Sequence, residues 1–282
     1  MRQVRDHGGV DDPDVAADLL QRPAELARSF DRIPDDYEAR PGYPPRVFEL
    51  LVERCGLGPG SRVLEIGAGV GQATLPMLAL GARITVVDPG EALMRRLAER
   101  TAGRVEIIVA DLERAPLPAA SFDVVASATA FHWVEPTAGA AQCARALRPG
   151  GWLAVWWTLW GNPDRPDPFH EVLLPILEAK APPLVQPDAS HRAYQRDLVA
   201  RAAIIEANPA FGPVSVETLD WEGTHDPVAL RRLFGTFAGW IVLPDALRTE
   251  LLDDVERIAR DQFGGTVRRP YQTLIFTSHR DG

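Results

Sequence analysis

The chain has 282 residues, 46% hydrophobic and 24% charged, an ordinary balance for a globular protein. Its net charge is −9, and Lys180 is its single lysine, so no basic stripe of the kind that tracks phosphates is present and nucleic acid is not an expected partner. No run approaches the roughly 20 apolar residues that span a bilayer, which argues against a membrane partner. The start, MRQVRDHGGVDDPDVAADLL, lacks the apolar core of a signal peptide, so the expected setting is cytoplasmic. Cys55 and Cys143 lie far apart with no C-x-x-C spacing and no histidine cluster beside them. Two buried structural thiols are expected, with no disulfide framework and no metal.

Residues 1–28 are polar and mixed, an expected flexible amino-terminal segment. Residues 29–45, SFDRIPDDYEARPGYPP, are rich in proline and aromatics. A helix is predicted from Pro45 to Cys55 with Val47, Leu50 and Leu51 on one face, stopped by Gly56 and Gly58. From residue 62 strand and helix alternate. RVLEIG (62–67), RITVVD (83–88), RVEIIVAD (104–111), FDVVASA (122–128) and WLAVWW (152–157) read as buried strands. Gln72–Leu80, Ala92–Arg100 and Thr137–Leu147 read as the helices between them, and Pro149-Gly150-Gly151 as a turn. Strand periodicity would send Trp152 and Trp156 to one face of the sheet and Trp157 to the other.

The alternation weakens after residue 158. Residues 159–190 are proline-rich, and 191–208 have a helical pattern. VSVETLDW (214–221) alternates like a strand, 227–262 carry two helical patterns around Pro244, and 266–280 read as a closing strand. The predicted division is a segment 1–28, a core 29–158, an acceptor-cap region 159–245 that includes the strand near 214–221, and a closing helix and strand over 246–282. This is an α/β pattern of parallel strands with helices on both faces, in which ligands sit at the carboxyl ends of the strands.

The strongest local signal is VLEIGAGVGQAT (63–74), where a strand enters a glycine-rich turn and a helix leaves it. Gly67, Gly69 and Gly71 remove side chains where the backbone turns tightly and meets a ligand. A dinucleotide fingerprint would place its third glycine at position 72, which is Gln72, so a nicotinamide-dependent oxidoreductase is disfavoured. Glu65, inside the strand, suits an amine-bearing ligand better than a pyrophosphate.

Glu65, Gly67, Gly69 and Gly71 form an E-x-G-x-G-x-G motif, and with it the sequence resembles the class I S-adenosylmethionine-dependent methyltransferases. The resemblance implies a Rossmann-like, doubly wound, mostly parallel seven-stranded sheet with a small helical cap. It implies S-adenosyl-L-methionine as cofactor and S-adenosyl-L-homocysteine as product. It also implies that the loop, with Ala68 and Gln72, holds the methionine part, and that Asp88, followed by Pro89, takes the ribose hydroxyls. Asp111 would face the adenine amino group, with Leu112 as an apolar wall. AFHWVEP (130–136) resembles a subset that includes trans-aconitate-type small-molecule enzymes, and FDRIPDDYEARPGYP (30–44) resembles the segment that folds over the cofactor in such enzymes. Tyr37, Arg40 and Tyr43 would close over it, Arg40 beside the methionine carboxylate, with Ala128 and Phe131 completing the wall.

The sulfonium already activates the methyl group, so the protein has to align the acceptor and exclude water. A carboxylate acceptor needs no base; a hydroxyl acceptor can use one. His132 is the candidate base or orienting donor, against the alternative of a histidine that only packs. Trp133, Trp160 and His170 are candidate acceptor contacts, and His191 a weaker one. The expected reaction is methyl transfer to a small-molecule acceptor, chiefly at oxygen, by a monomer or homodimer. A non-methylating cofactor binder, such as a cyclase or regulatory protein, and an RNA or protein methyltransferase are the alternatives.

Overall fold

The alternation from residue 62 becomes a single twisted sheet in the computed structural model, which describes residues 23–185, 202–203 and 205–281. Three helices come first: α1 (Pro23–Ser29), α2 (Pro34–Tyr37) and α3 (Pro45–Cys55). Then follow β1 (Arg62–Ile66), α4 (Thr74–Ala79), β2 (Arg83–Asp88), α5 (Glu91–Thr101), β3 (Glu106–Val109), β4 (Phe122–Ala128), α6 (Pro136–Ala146) and β5 (Leu147–Leu159). The remainder is α7 (Pro168–Lys180), β6 (Ser215–His225), α8 (Pro227–Gly235), α9 (Ala238–Ile241), α10 (Asp245–Gln262) and β7 (Val267–His279).

The seven strands lie in the order β3-β2-β1-β4-β5-β7-β6. β1 to β5 pair in parallel, and β7 runs antiparallel between β5 and β6. The expected mostly parallel, doubly wound sheet is therefore the observed one. Apolar residues face both ways, as a sheet covered on both sides requires. Val63, Val86, Val124, Ala126 and Trp156 pack beneath α3 and α5, where Val47, Leu50, Leu51 and Leu97 are fully buried. Leu64, Val87, Val125, Val155 and Trp157 pack on the other face with Cys143 and Ala144 of α6. Trp156 and Trp157 thus part as period-two alternation demands, and Trp152 packs on the Trp156 side. Both cysteines are buried free thiols, and burial pushes the Cys55 thiol up to about 12.

α3 shows how local chemistry sets a boundary. Pro45 opens it, where a missing N–H costs nothing, and Gly56 closes it in the left-handed region at φ +67°. One sequence expectation is corrected. The stretch Pro149-Gly150-Gly151 is not a turn between elements but part of β5, with a shift in the β4–β5 register between Phe122 and Val124 and Gly150 at φ +76°. The register shift absorbs the extra residues within the strand, which a turn signal cannot distinguish from a loop. The proline-rich stretch after residue 159 contains a full helix, α7, entered at Pro168 and capped by Asp167, whose carboxylate accepts the His170 N–H at 3.1 Å. α7, α8 and α10 bury Phe169, Leu173, Leu233, Phe234, Leu251 and Val255 together, which builds the cap. His191 lies outside the described residues.

Candidate functional site

β1 pairs with β2 on one side and β4 on the other, so the chain winds away from it in both directions. A crevice opens at the carboxyl end of such a switch point because the connections leave to opposite faces. Two hollows meet there. The larger encloses about 740 Å³, open mouth included, and the smaller about 320 Å³. The first has room for a nucleoside-sized group and the second for a compact one.

Gly67 and Gly69 shape the wall between the hollows. Their φ angles are +69° and +55°, where a side chain is strained. A Cβ on Gly67 would lie 2.3 Å from the Ala130 Cβ, and one on Gly69 would lie 2.7 Å from the Tyr37 ring. The loop is therefore pressed against the end of β4 on one side and the aromatic segment on the other, and it presents bare backbone to the crevice.

Two acids lie behind this loop. Asp88, 6% exposed, accepts the Gly90 N–H at 2.8 Å and the Gly69 N–H at 3.3 Å, so it also fixes the loop. Burial raises its pKa to about 6, against the lowering effect of those two N–H groups. Glu65 is fully buried, and among the described residues neither of its carboxylate oxygens has a hydrogen-bond partner. Burial raises it to about 7, with the nearby Asp88 charge adding to the shift. The Thr74 hydroxyl tempers that shift without meeting hydrogen-bond geometry, and is itself unpartnered. An orphaned buried carboxylate is costly unless a cation or donor reaches it, directly or through water. An amine-bearing ligand over the glycine loop would supply one.

The segment from α1 to Pro44 crosses the crevice as a strap. Asp31 accepts the N–H groups of Ala92 and Leu93 at 2.7 and 3.0 Å, capping α5 from outside its own sequence. The Gln72 side chain donates to the Tyr37 carbonyl at 3.0 Å. Arg28 donates twice to the Asp111 carboxylate, at 3.1 and 3.0 Å, across the mouth of the larger hollow. Arg40 donates to the Thr236 hydroxyl at 3.1 Å, the Thr236 carbonyl at 2.7 Å and the Tyr37 hydroxyl at 3.2 Å. Its guanidinium lies 4.6 Å from the Tyr37 ring centroid, 5.2 Å from Phe30 and 5.6 Å from Trp160. All three of these hydrogen-bond acceptors are neutral, so the Arg40 charge is caged by rings and balanced by no carboxylate among the described residues.

The structure brings most of the sequence-selected residues to this crevice. Gly67, Gly69, Asp88, Pro89, Asp111, Leu112 and Trp133 line the larger hollow; Arg40, Tyr43, Ala68, Gln72, Ala128 and Trp160 line the smaller; Tyr37 and Gly67 line both. Trp133, selected as an acceptor contact, thus faces the larger hollow beside Phe30, 5.9 Å away between ring centroids. Glu65 and Gly71 lie behind the lining. Phe131 does not line either hollow; it is 2% exposed and packs in the sheet's other face, because the turn after β4 rotates it inward. His132 also stands back from the lining. Its Nδ1 accepts the Trp157 indole N–H at 2.9 Å, which puts the ring proton of the neutral imidazole on Nε2. His170 sits in the first turn of α7 and lines neither hollow; burial, then Arg269, lowers its pKa. Sequence reasoning did not select Phe30, Thr129, Ala130 or Val134, all in the larger lining. Thr129 and Ala130 follow β4 directly, and that position was the available signal.

The fold and the crevice define a Rossmann-like nucleotide-cofactor enzyme of the seven-stranded methyltransferase architecture. A family model described as a methyltransferase domain matches residues 64–155. An uncharacterized methyltransferase of Schizosaccharomyces pombe is 30% identical over 260 residues, 90% of this chain and 98% of that protein. One of Mycobacterium bovis is 28% identical over 235 residues, 83% of this chain and 86% of that protein. A solved structure from Anaeromyxobacter dehalogenans, described as a candidate type II methyltransferase, is 25% identical and covers 84% of this chain and 97% of its own, with a TM-score of 0.58. The chain belongs to the methyltransferase family and is an S-adenosylmethionine-dependent methyltransferase. Among the described residues no helix is long and apolar enough to cross a membrane.

Proposed function

We propose that this enzyme moves the methyl group of S-adenosylmethionine onto a carboxylate oxygen of a small molecule. The observation that carries this reading is the pair of joined hollows, one nucleoside-sized and one compact, meeting beside Tyr37 and Gly67. Glu65 and the glycine loop suit the cofactor's amino group, and Asp88 suits its ribose hydroxyls. Asp111 and Leu112 suit the adenine ring, and the ring-caged Arg40 suits the methionine carboxylate. The bound cofactor supplies an electrophilic methyl group. The chain's own work is to hold the acceptor oxygen in line, with Tyr43 and Trp160 shaping its hollow and the strap excluding water. Among the described residues the smaller hollow is lined by no histidine and no carboxylate, which suits an acceptor already ionised at neutral pH that needs no base. The likeness of His132-Trp133 to trans-aconitate-type enzymes supports the same acceptor class.

The test is a turnover screen of short aliphatic and aromatic carboxylic acids against matched phenols, following S-adenosylhomocysteine release. Turnover of an acid with a methyl ester as product is expected. Turnover confined to phenols or amines would overturn the carboxylate reading.

A further inference from the structure

Thr129 is the first residue past β4, and its backbone lies in the left-handed region at φ +54°. A β-branched side chain is strained there, and glycine or asparagine would sit more easily. Three hydrogen bonds hold it in place. Its N–H donates to the Trp156 carbonyl at 2.7 Å, and its hydroxyl oxygen accepts the Tyr43 hydroxyl at 3.1 Å and the Thr158 N–H at 3.3 Å. Strain kept by surrounding contacts beside a ligand crevice is a pointer to function.

A threonine hydroxyl has two acceptor lone pairs and one hydrogen. Tyr43 and Thr158 take both lone pairs. The hydrogen is what remains, and it has no acceptor among the described residues. Thr129 lines the larger hollow, while its partner Tyr43 lines the smaller. The Tyr43–Thr129 hydrogen bond therefore links a residue that lines the smaller hollow to one that lines the larger. Burial pushes the Tyr43 phenol well above its ordinary value, so it stays a neutral O–H group across the neutral range.

We infer that Thr129 is a specificity-determining residue whose hydroxyl donates a hydrogen bond to the acceptor, selecting a carboxylate over an ammonium or amine N–H. The inference rests on the functional reading above and assigns its acceptor choice to one atom. A donor hydroxyl with filled lone pairs stabilises the non-reacting oxygen of a carboxylate. It offers nothing to an ammonium group, whose own hydrogens find no acceptor there.

The experiment loads the protein with S-adenosylhomocysteine and titrates acetate and methylammonium as probes, read by NMR, for wild type, Thr129→Val and Thr129→Ser. Wild type should bind acetate in preference to methylammonium. With S-adenosylhomocysteine kept saturating for each variant, Thr129→Val should weaken acetate by about tenfold, as for one lost hydrogen bond to a charged group. Thr129→Ser should restore acetate binding. Equal acetate affinity in wild type and Thr129→Val, no acetate binding in wild type, or a preference for methylammonium would each overturn the inference. If Thr129→Val does not fold, Tyr43→Phe carries the test: it frees one lone pair on Thr129, so methylammonium should gain on acetate, and unchanged selectivity would overturn the inference. Failure of folded wild type to bind S-adenosylhomocysteine is a separate outcome, which would sink the functional reading beneath it.

Discussion

The two hollows that meet past the end of β4 are built by different means. The larger takes much of its wall from one continuous stretch, in which the glycine loop, Asp88 and Asp111 follow successive strands. There the backbone does the shaping, and the acids sit where parallel strands end. The smaller hollow is made of side chains brought from far apart: Arg40 and Tyr43 from the strap, Gln72 from the loop and Trp160 from beyond β5. Arg40 is held by Thr236, 196 residues further on. The larger hollow is thus a product of local geometry repeated along the sheet, whereas the smaller, proposed to receive the cofactor's methionine end and the acceptor, is a tertiary assembly in which no segment has meaning alone.

The comparison can be broken most sharply in the loop. Gly69→Arg places a side chain at φ +55° against the Tyr37 ring, so measurable S-adenosylmethionine binding should disappear while the melting temperature shows a folded core. Retained affinity in a folded variant would show that the larger hollow is not the cofactor site. Asp88→Ala should come next, weakening the cofactor by about 1–3 kcal/mol, roughly 5- to 150-fold by calorimetry, through lost charge-assisted hydrogen bonds.

The acids also make the larger hollow sensitive to pH. Glu65 titrates near 7 and Asp88 near 6 in the unliganded protein, and a ligand bringing an amine and hydroxyl donors favours their ionised forms. Cofactor affinity measured by titration should therefore fall several-fold as the pH is lowered from 8 to about 5.5. Stability without ligand should run the other way. Because Glu65 is raised in the folded state, its contribution is fully present below the ordinary carboxyl value of 4.5 and is lost as pH rises through about 7. Chemical denaturation at pH 5, 6, 7 and 8 reads this directly, and Glu65→Gln should flatten both profiles. Pattern-free affinity across this range would show that neither acid meets the ligand.

The smallest effect is expected at the mouth. Arg28 donates from a single nitrogen, Nη2, to both Asp111 carboxylate oxygens, but their side chains are 55% and 38% exposed, where solvent screens the interaction. Arg28→Ala should change stability by under about 1 kcal/mol and leave acceptor selectivity untouched. A large loss of cofactor affinity in this variant would make the strap, rather than the loop, the principal determinant of the larger hollow.

The same division explains how much the sequence discloses. Glu65, Gly67, Gly69 and Gly71 are recognisable because their spacing is fixed by a strand-turn-helix unit, and Asp88 because an acid closing a β-branched run sits at a strand end. The face of each tryptophan in β5 follows from period two. Phe131 illustrates the opposite case: a single 3-10 turn after β4 turns it into the core, and no periodicity exists over three residues to foretell that. The turn signal at Pro149-Gly150-Gly151 was chemically sound, yet a register shift within a strand meets the same glycine requirement. His132 reads as a base, a donor or a packing residue in one dimension; the register of β5, which brings the Trp157 indole to Nδ1, is visible only in the fold. Thr129 has an ordinary letter in an ordinary run, and its left-handed backbone is visible only in three dimensions.

The central claim is that the larger hollow binds S-adenosylmethionine through the glycine loop. Calorimetric titration of the purified chain with S-adenosylmethionine and, separately, with NADH tests it most directly. The account expects saturable one-to-one binding of the first and none of the second. Binding of NADH, or no binding of S-adenosylmethionine by folded protein, would contradict it.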